Sequence, residues 1–129
     1  MNPYRVAIVG SRTYADLQQV RDFVASLPAD AVVISGGARG VDTVAEEAAR
    51  GRGLRTEIYP ADWTRQDGTV DRGAGLRRNQ QIVRAAQRLV CFWNGTSRGS
   101  KHTLRYAYEH DVPILLFLPG KPPREWRKK

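Results

Sequence analysis

The run Val32-Val33-Ile34-Ser35-Gly36-Gly37-Ala38-Arg39-Gly40-Val41-Asp42 decides the fold. A β-branched apolar stretch breaks off at two glycines. An arginine and a third glycine follow, then an apolar-periodic segment with early acids, Asp42, Glu46 and Glu47. This is the pattern of a strand, a tight turn and a helix start. Glycine admits positive φ and lets a ligand approach the main chain. N–H groups at a helix start attract anions, and the helix dipole favours negative charge there. Arg39 adds a planar fork suited to phosphate. The spacing matches neither the dinucleotide fingerprint nor the P-loop. An ordinary chain reversal would use the same glycines, so this segment alone supports only a generic anion-binding turn.

The flanking sequence repeats the pattern. Tyr4 to Val9 reads as a buried first strand that ends at Gly10-Ser11-Arg12. Leu17, Val20, Val24 and Leu27 then recur at helical spacing behind Asp16, a candidate N-cap. Ala31 to Ile34 form the second strand, and Val41, Val44, Ala45 and Ala48 line the next helix, stopped by Gly51 and Gly53. Leu54 to Tyr59 give a third strand, closed by Pro60. Residues 61–75 are polar and aperiodic, and loops of that length are often functional. Leu76, Val83 and Ala86 mark a third helix and Leu89 to Trp93 a fourth strand. A second glycine-containing turn, Gly95 to Ser100, precedes a helix with Leu104, Ala107 and Tyr108. Val112 to Leu118 are the last strand. Continuous apolar strands alternating with helices imply a parallel sheet covered on both faces. The expected fold is α/β: one Rossmann-like three-layer domain over residues 1–120, with about five parallel strands in the order 3-2-1-4-5.

The chain has 129 residues, of which 41% are hydrophobic, which suits one domain with a true core. No run is long enough to cross a membrane and no signal peptide is evident, so the reading is a cytoplasmic protein with no membrane partner. Cys91 is the only cysteine and reads as a small buried hydrophobe. His102 and His110 have no companions at metal-ligand spacing, and no metal is expected. The net charge of +8 suggests nucleic acid, but half of the excess lies in residues 121–129, which read as a basic, mobile tail.

In a sheet of this order, ligands sit at the carboxyl edge, between strands 1 and 4. Three small-residue turns that carry arginine meet there. Gly10, Ser11 and Arg12 offer a backbone amide, a hydroxyl and a guanidinium. Ser35, Gly36, Gly37, Arg39 and Gly40 form the neighbouring turn. Asp42 either pins Arg39 or favours the helix start. Arg77 and Arg78 open the third helix, where positive charge opposes the dipole, so another use is implied for Arg78 and Asn79. Ser97, Gly99, Ser100, His102 and Thr103 lie at the last helix start. There Ser100 is also a candidate N-cap, and His102 is either an ordinary first-turn residue or a general base. Asp62 and Trp63 follow Pro60, with Trp63 placed to stack on a base or to pack over the sheet edge.

These segments, in this order, resemble the YspA/YpsA-like branch of the SLOG superfamily. The pieces that carry the resemblance are Val9-Gly10-Ser11-Arg12-Thr13, Ile34 to Asp42, Pro60-Ala61-Asp62-Trp63, Gly73 to Asn79, and Phe92 to Thr103. The resemblance implies a Rossmann-like fold that binds, senses or processes a nucleotide or a nucleotide-derived ligand such as an ADP-ribose. It also implies a homo-oligomer, a dimer being the simplest. Two related families point in different directions. In the Lonely Guy (LOG) phosphoribohydrolases, which cleave nucleotide N-glycosidic bonds, the catalytic arginine falls at Arg78 and a Gly-Thr pair at Gly99-Ser100, but Thr103 stands in place of the catalytic glutamate. In the single-stranded-DNA-binding protein DprA, a Ser-Gly-x-Ala-x-Gly-Ile-Asp segment resembles Ser35 to Asp42. An Arg-Asn-Arg triplet there resembles Arg78-Asn79, with Gln80 replacing the last arginine. Nucleic acid is therefore an alternative partner and glycosidic hydrolysis an alternative activity.

Overall fold

A computed structural model describes residues 3–71 and 73–128. Among the described residues strands and helices alternate up to a final pair of strands: β1 (Arg5–Gly10), α1 (Leu17–Ala25), β2 (Val32–Ser35), α2 (Val41–Gly51), β3 (Arg55–Ile58), α3 (Ala74–Ala85), β4 (Arg88–Phe92), α4 (Arg98–Glu109), β5 (Ile114–Phe117) and β6 (Arg124–Trp126). They build one sheet of order β3-β2-β1-β4-β5-β6, parallel except for β6. The first five strands follow the expected order. The sixth is a correction. Residues 124–126 lie in the segment expected to be a mobile tail, yet they pair antiparallel with β5, setting Leu116 opposite Arg124 and Ile114 opposite Trp126. Pro122 and Pro123 and the surrounding charges hid this strand, because neither suits a buried parallel position; an edge strand tolerates both.

Helices cover both faces, as the continuous apolar strands require. On one face α1 and α2 bury Val20, Val24, Val41 and Ala45 against Val6, Ile8, Val33 and Val90. Phe92 and Phe117 stack there with centroids 4.4 Å apart, and Tyr14 meets Phe92 edge-on. On the other face α3 and α4 bury Ile82, Val83 and Ala107 against Ala7, Ile34, Leu89 and Cys91. Asp16 caps α1 as expected, accepting the Gln19 N–H. The third strand lies at a polar edge: Arg55 is exposed, and Glu57 pairs with Arg5 through two bonds of 2.7 Å. No helix among the described residues is long and apolar enough to cross a membrane.

Every crossover helix follows the carboxyl end of its strand, α3 after the long connection that leaves β3 at Ile58, so α1 to α4 all begin at the same edge of the sheet. The strand order reverses between β1 and β4, and a crevice must open there.

Candidate functional site

The crevice has a volume of about 440 Å³. The exits of β1 and β4 are laced together beneath it. Gly10 is required for packing: a Cβ there would lie 2.5 Å from the Phe92 carbonyl oxygen and 2.7 Å from the Val41 side chain. Ser11 is buried. Its hydroxyl accepts the Asn94 N–H at 3.0 Å and shares a 3.0 Å hydrogen bond with the Ser97 hydroxyl. Asn94 Nδ2 donates to the Thr13 hydroxyl at 3.0 Å, while its Oδ1 accepts the N–H groups of Thr96 and Ser97. Arg12 is exposed at the rim.

The β2–α2 turn departs from its sequence reading. Ser35 is fully buried and its hydroxyl donates to Glu46. The N–H groups of Gly36 and Ala38 donate to Asp42 Oδ2 at 3.0 and 3.3 Å. Asp42 thus holds the turn's own backbone rather than Arg39, which is exposed. An internal carboxylate occupies two of the amides that an anion would use. Ser35, Gly36, Gly37, Arg39 and Gly40 do not line the crevice; Asp42 and Ala38 do. Gly40 has a φ of 83°, and a Cβ there would stand 2.7 Å from the Arg12 carbonyl oxygen, so this turn also abuts the β1 exit. Burial pushes the Asp42 carboxyl up to about 6, against the pull of the two N–H bonds and of Arg78.

Arg78 crosses from α3 onto this turn. Its Nη1 donates to the Gly36 carbonyl at 2.6 Å and its Nε to Asn79 Oδ1 at 3.0 Å. A Cβ on Gly36 would lie 2.5 Å from Arg78 Nη1, so the glycine makes room for the guanidinium rather than for a ligand. Half-burial lowers the Arg78 pKa, Asp42 opposes that shift and Arg12 adds to it. The unfavourable helix-start arginines thus have uses: Arg78 braces the β2–α2 turn, and Arg77 pairs with Asp71. Trp63 lies over the same helix start, its Cη2 2.8 Å from where a Gly75 Cβ would be. Trp63 and Leu76 remain 44% and 45% exposed on the crevice, an apolar shelf. Asp62 accepts the Thr64 N–H in a local turn outside it.

At the α4 start, Ser97 takes the N-cap position in place of Ser100, but its hydroxyl bonds to Ser11 and caps no N–H. The first turn holds no acid. Ser97, Gly99, Ser100 and Thr103 line the crevice; His102 does not, its ring facing Tyr106. The Thr103 hydroxyl donates back to the Gly99 carbonyl at 2.9 Å and supplies no carboxylate. Cys91, beneath, is pushed up to about 12 by burial and is no thiolate near neutral pH. Among the described residues, no group of three His, Cys, Asp or Glu side chains is placed to hold a metal.

The crevice therefore gathers Gly10, Ser11, Arg12, Asp42, Trp63, Arg78, Asn79, Ser97, Gly99, Ser100 and Thr103 from the sequence-predicted set. It adds Thr13 and Asn94, which lie in the β1 and β4 exits and whose mutual bond spans 81 residues of chain and has no local signal.

Comparison with known proteins agrees with this architecture. Residues 4–66 match the profile of the YspA, cpYpsA-related SLOG family. A curated relative, the Gene 61 protein of Mycobacterium phage D29, is 35% identical over 123 residues, spanning 88% of this chain and 95% of that protein. Among solved structures, DNA processing protein A (DprA) of Streptococcus pneumoniae aligns with a TM-score of 0.77 at 21% identity, over 92% of this chain and 51% of that one. DprA of Helicobacter pylori, described in terms of its single-stranded DNA binding mode, aligns with a TM-score of 0.68 at 21% identity, over 92% of this chain and 66% of that one. The chain thus spans between half and two thirds of the DprA chains, whose likeness is one of fold. The match to the phage protein over most of both chains, the family profile and the turn sequences together place this chain in the YspA, cpYpsA-related SLOG family.

Proposed function

We propose that this domain binds a nucleotide or nucleotide-derived ligand in the β1–β4 crevice, with a phosphate at the start of α4 and a base on the Trp63–Leu76 shelf. The observation that carries the reading is the α4 start. Its first turn has no acid, and it borders the crevice through Gly99 and Ser100. A helix N-terminus so arranged favours an anion. The volume of about 440 Å³ suits a ligand of nucleotide size, and an exposed tryptophan offers a face for stacking.

A second reading, in which the nucleotide is one unit of a single strand, is favoured by the DprA fold likeness and by the net charge of +8. Calorimetry with AMP, ADP-ribose and a short oligothymidylate tests both. Saturable binding of a mononucleotide, weakened about tenfold or more by Trp63→Ala as expected for loss of a stacking face, supports the first. Binding of the oligonucleotide alone, with the same sensitivity to Trp63→Ala, moves the assignment to the second. No binding of any of the three at millimolar concentration overturns both.

A further inference from the structure

A second concavity, of about 510 Å³, lies away from the sheet's carboxyl-edge crevice, between α4 and the β5–β6 edge. Its floor is apolar: Trp93, Leu104 and Leu116. Tyr108 and Trp126 form one side, their rings 4.7 Å apart and inclined at 50°. Tyr108 is 58% exposed and leaves an aromatic face open beside this floor. Lys101, Arg105 and Arg124 stand around this floor. The one acid of the lining, Glu125, is already engaged by Arg88 at 2.6 Å and by Arg127 at 3.6 Å. Among the described residues, Lys101 and Arg124 have no ion-pair partner, whereas Arg105 meets only Glu109, at 3.7 Å.

We infer that this groove docks an acidic protein segment that presents large apolar side chains. The apolar floor supplies the affinity through buried area, and the cationic rim selects the sign of the partner. Charge complementarity also decides against a second copy of this chain. Each copy carries +8, and a two-fold contact here would set Lys101, Arg105 and Arg124 against their own equivalents. The almost wholly apolar floor, with its aliphatic leucines, fits apolar side chains better than the polar edges of bases.

The full-length protein should be titrated with a short acidic peptide that carries leucine and phenylalanine at helical spacing, with tryptophan fluorescence as the readout. Trp93 and Trp126 lie in the groove and report on it directly. The expected result is a saturable change, weakened at least about tenfold when Tyr108→Ser removes the exposed wall. The double variant Lys101→Glu, Arg105→Glu should turn the preference toward a basic peptide of the same apolar pattern. Tyr108→Ser changes an exposed side chain, so circular dichroism should show both proteins folded alike. The inference is overturned by no saturable change at millimolar peptide, by peptide binding unaffected by Tyr108→Ser, or by displacement of the peptide by an oligonucleotide whose own binding needs Tyr108, which makes the groove a nucleic-acid surface. Sedimentation that shows a dimer dispersed by Tyr108→Ser would equally replace the acidic partner with a second copy.

Discussion

The β2–α2 and β4–α4 turns look alike in sequence and differ in use. Each leaves a buried strand, carries glycines and an arginine, and opens a helix at the same sheet edge. In the first, Asp42 sits in the first helical turn and takes the N–H groups of Gly36 and Ala38. In the second, the first turn holds no acid, the N-cap hydroxyl is directed to Ser11, and Gly99 and Ser100 border the crevice. Glycines at a strand-to-helix turn make an anion site possible; an acid just inside the helix decides whether the protein fills it itself. The first turn is a brace, and the second is the end of the crevice proposed to take the phosphate.

The largest expected effect concerns the brace. Asp42→Ala unpairs the buried Gly36 N–H and the half-buried Ala38 N–H and should cost about 2–4 kcal/mol, read in urea unfolding. The same carboxylate has a pH signature. Its folded pKa of about 6 lies above the unfolded value near 3.9. The folded state therefore holds the proton more tightly, and Asp42's contribution to stability is greatest below about pH 4 and declines as pH rises toward 6, by about 3 kcal/mol at most. Comparing melts of wild type and Asp42→Asn across pH 4–7 should show that slope vanish from the variant; an unchanged slope would refute the role given to Asp42.

Next comes Arg78, which holds the β2–α2 turn and also lines the crevice. Arg78→Ala removes a charge from the crevice and the 2.6 Å bond to Gly36. Nucleotide affinity should fall about 10–100-fold, the usual worth of a charge-assisted contact. The smallest effect tests the contrast most directly. Arg39 is exposed and outside the crevice, so Arg39→Ala should leave affinity within about twofold at physiological salt. A loss as large as that of Arg78→Ala would return phosphate binding to the β2–α2 turn.

Strand order and the convergence of turns were legible because buried parallel strands need continuous apolar runs, and Val6 to Val9, Val32 to Ile34 and Leu89 to Phe92 have them. The N-cap Asp16 was legible because capping is local. What escaped was non-local or lacked an apolar run. Nothing near Ser35 announces that Glu46 will accept its hydroxyl, and nothing near Thr13 announces Asn94. Arg77 and Arg78 read as a pair, yet a helix turns neighbours about 100° apart, sending one to Asp71 and the other to Gly36.

The antiparallel strand β6 gives the C-terminal segment a protective role. Without it β5, an Ile-Leu-Leu-Phe strand, would end the sheet with a row of unpaired backbone groups, a template for edge-to-edge association. The strand that covers it is three residues long, preceded by two prolines and flanked by cations, a poor template in its own right. The opposite edge, β3, is defended by Arg55 and Glu57. Trimming residues 121–129 to remove charge would therefore also uncover an adhesive strand. Precipitation of that shortened protein would report an unsealed sheet, and loss of nucleic-acid binding in it would say little about the basic side chains themselves.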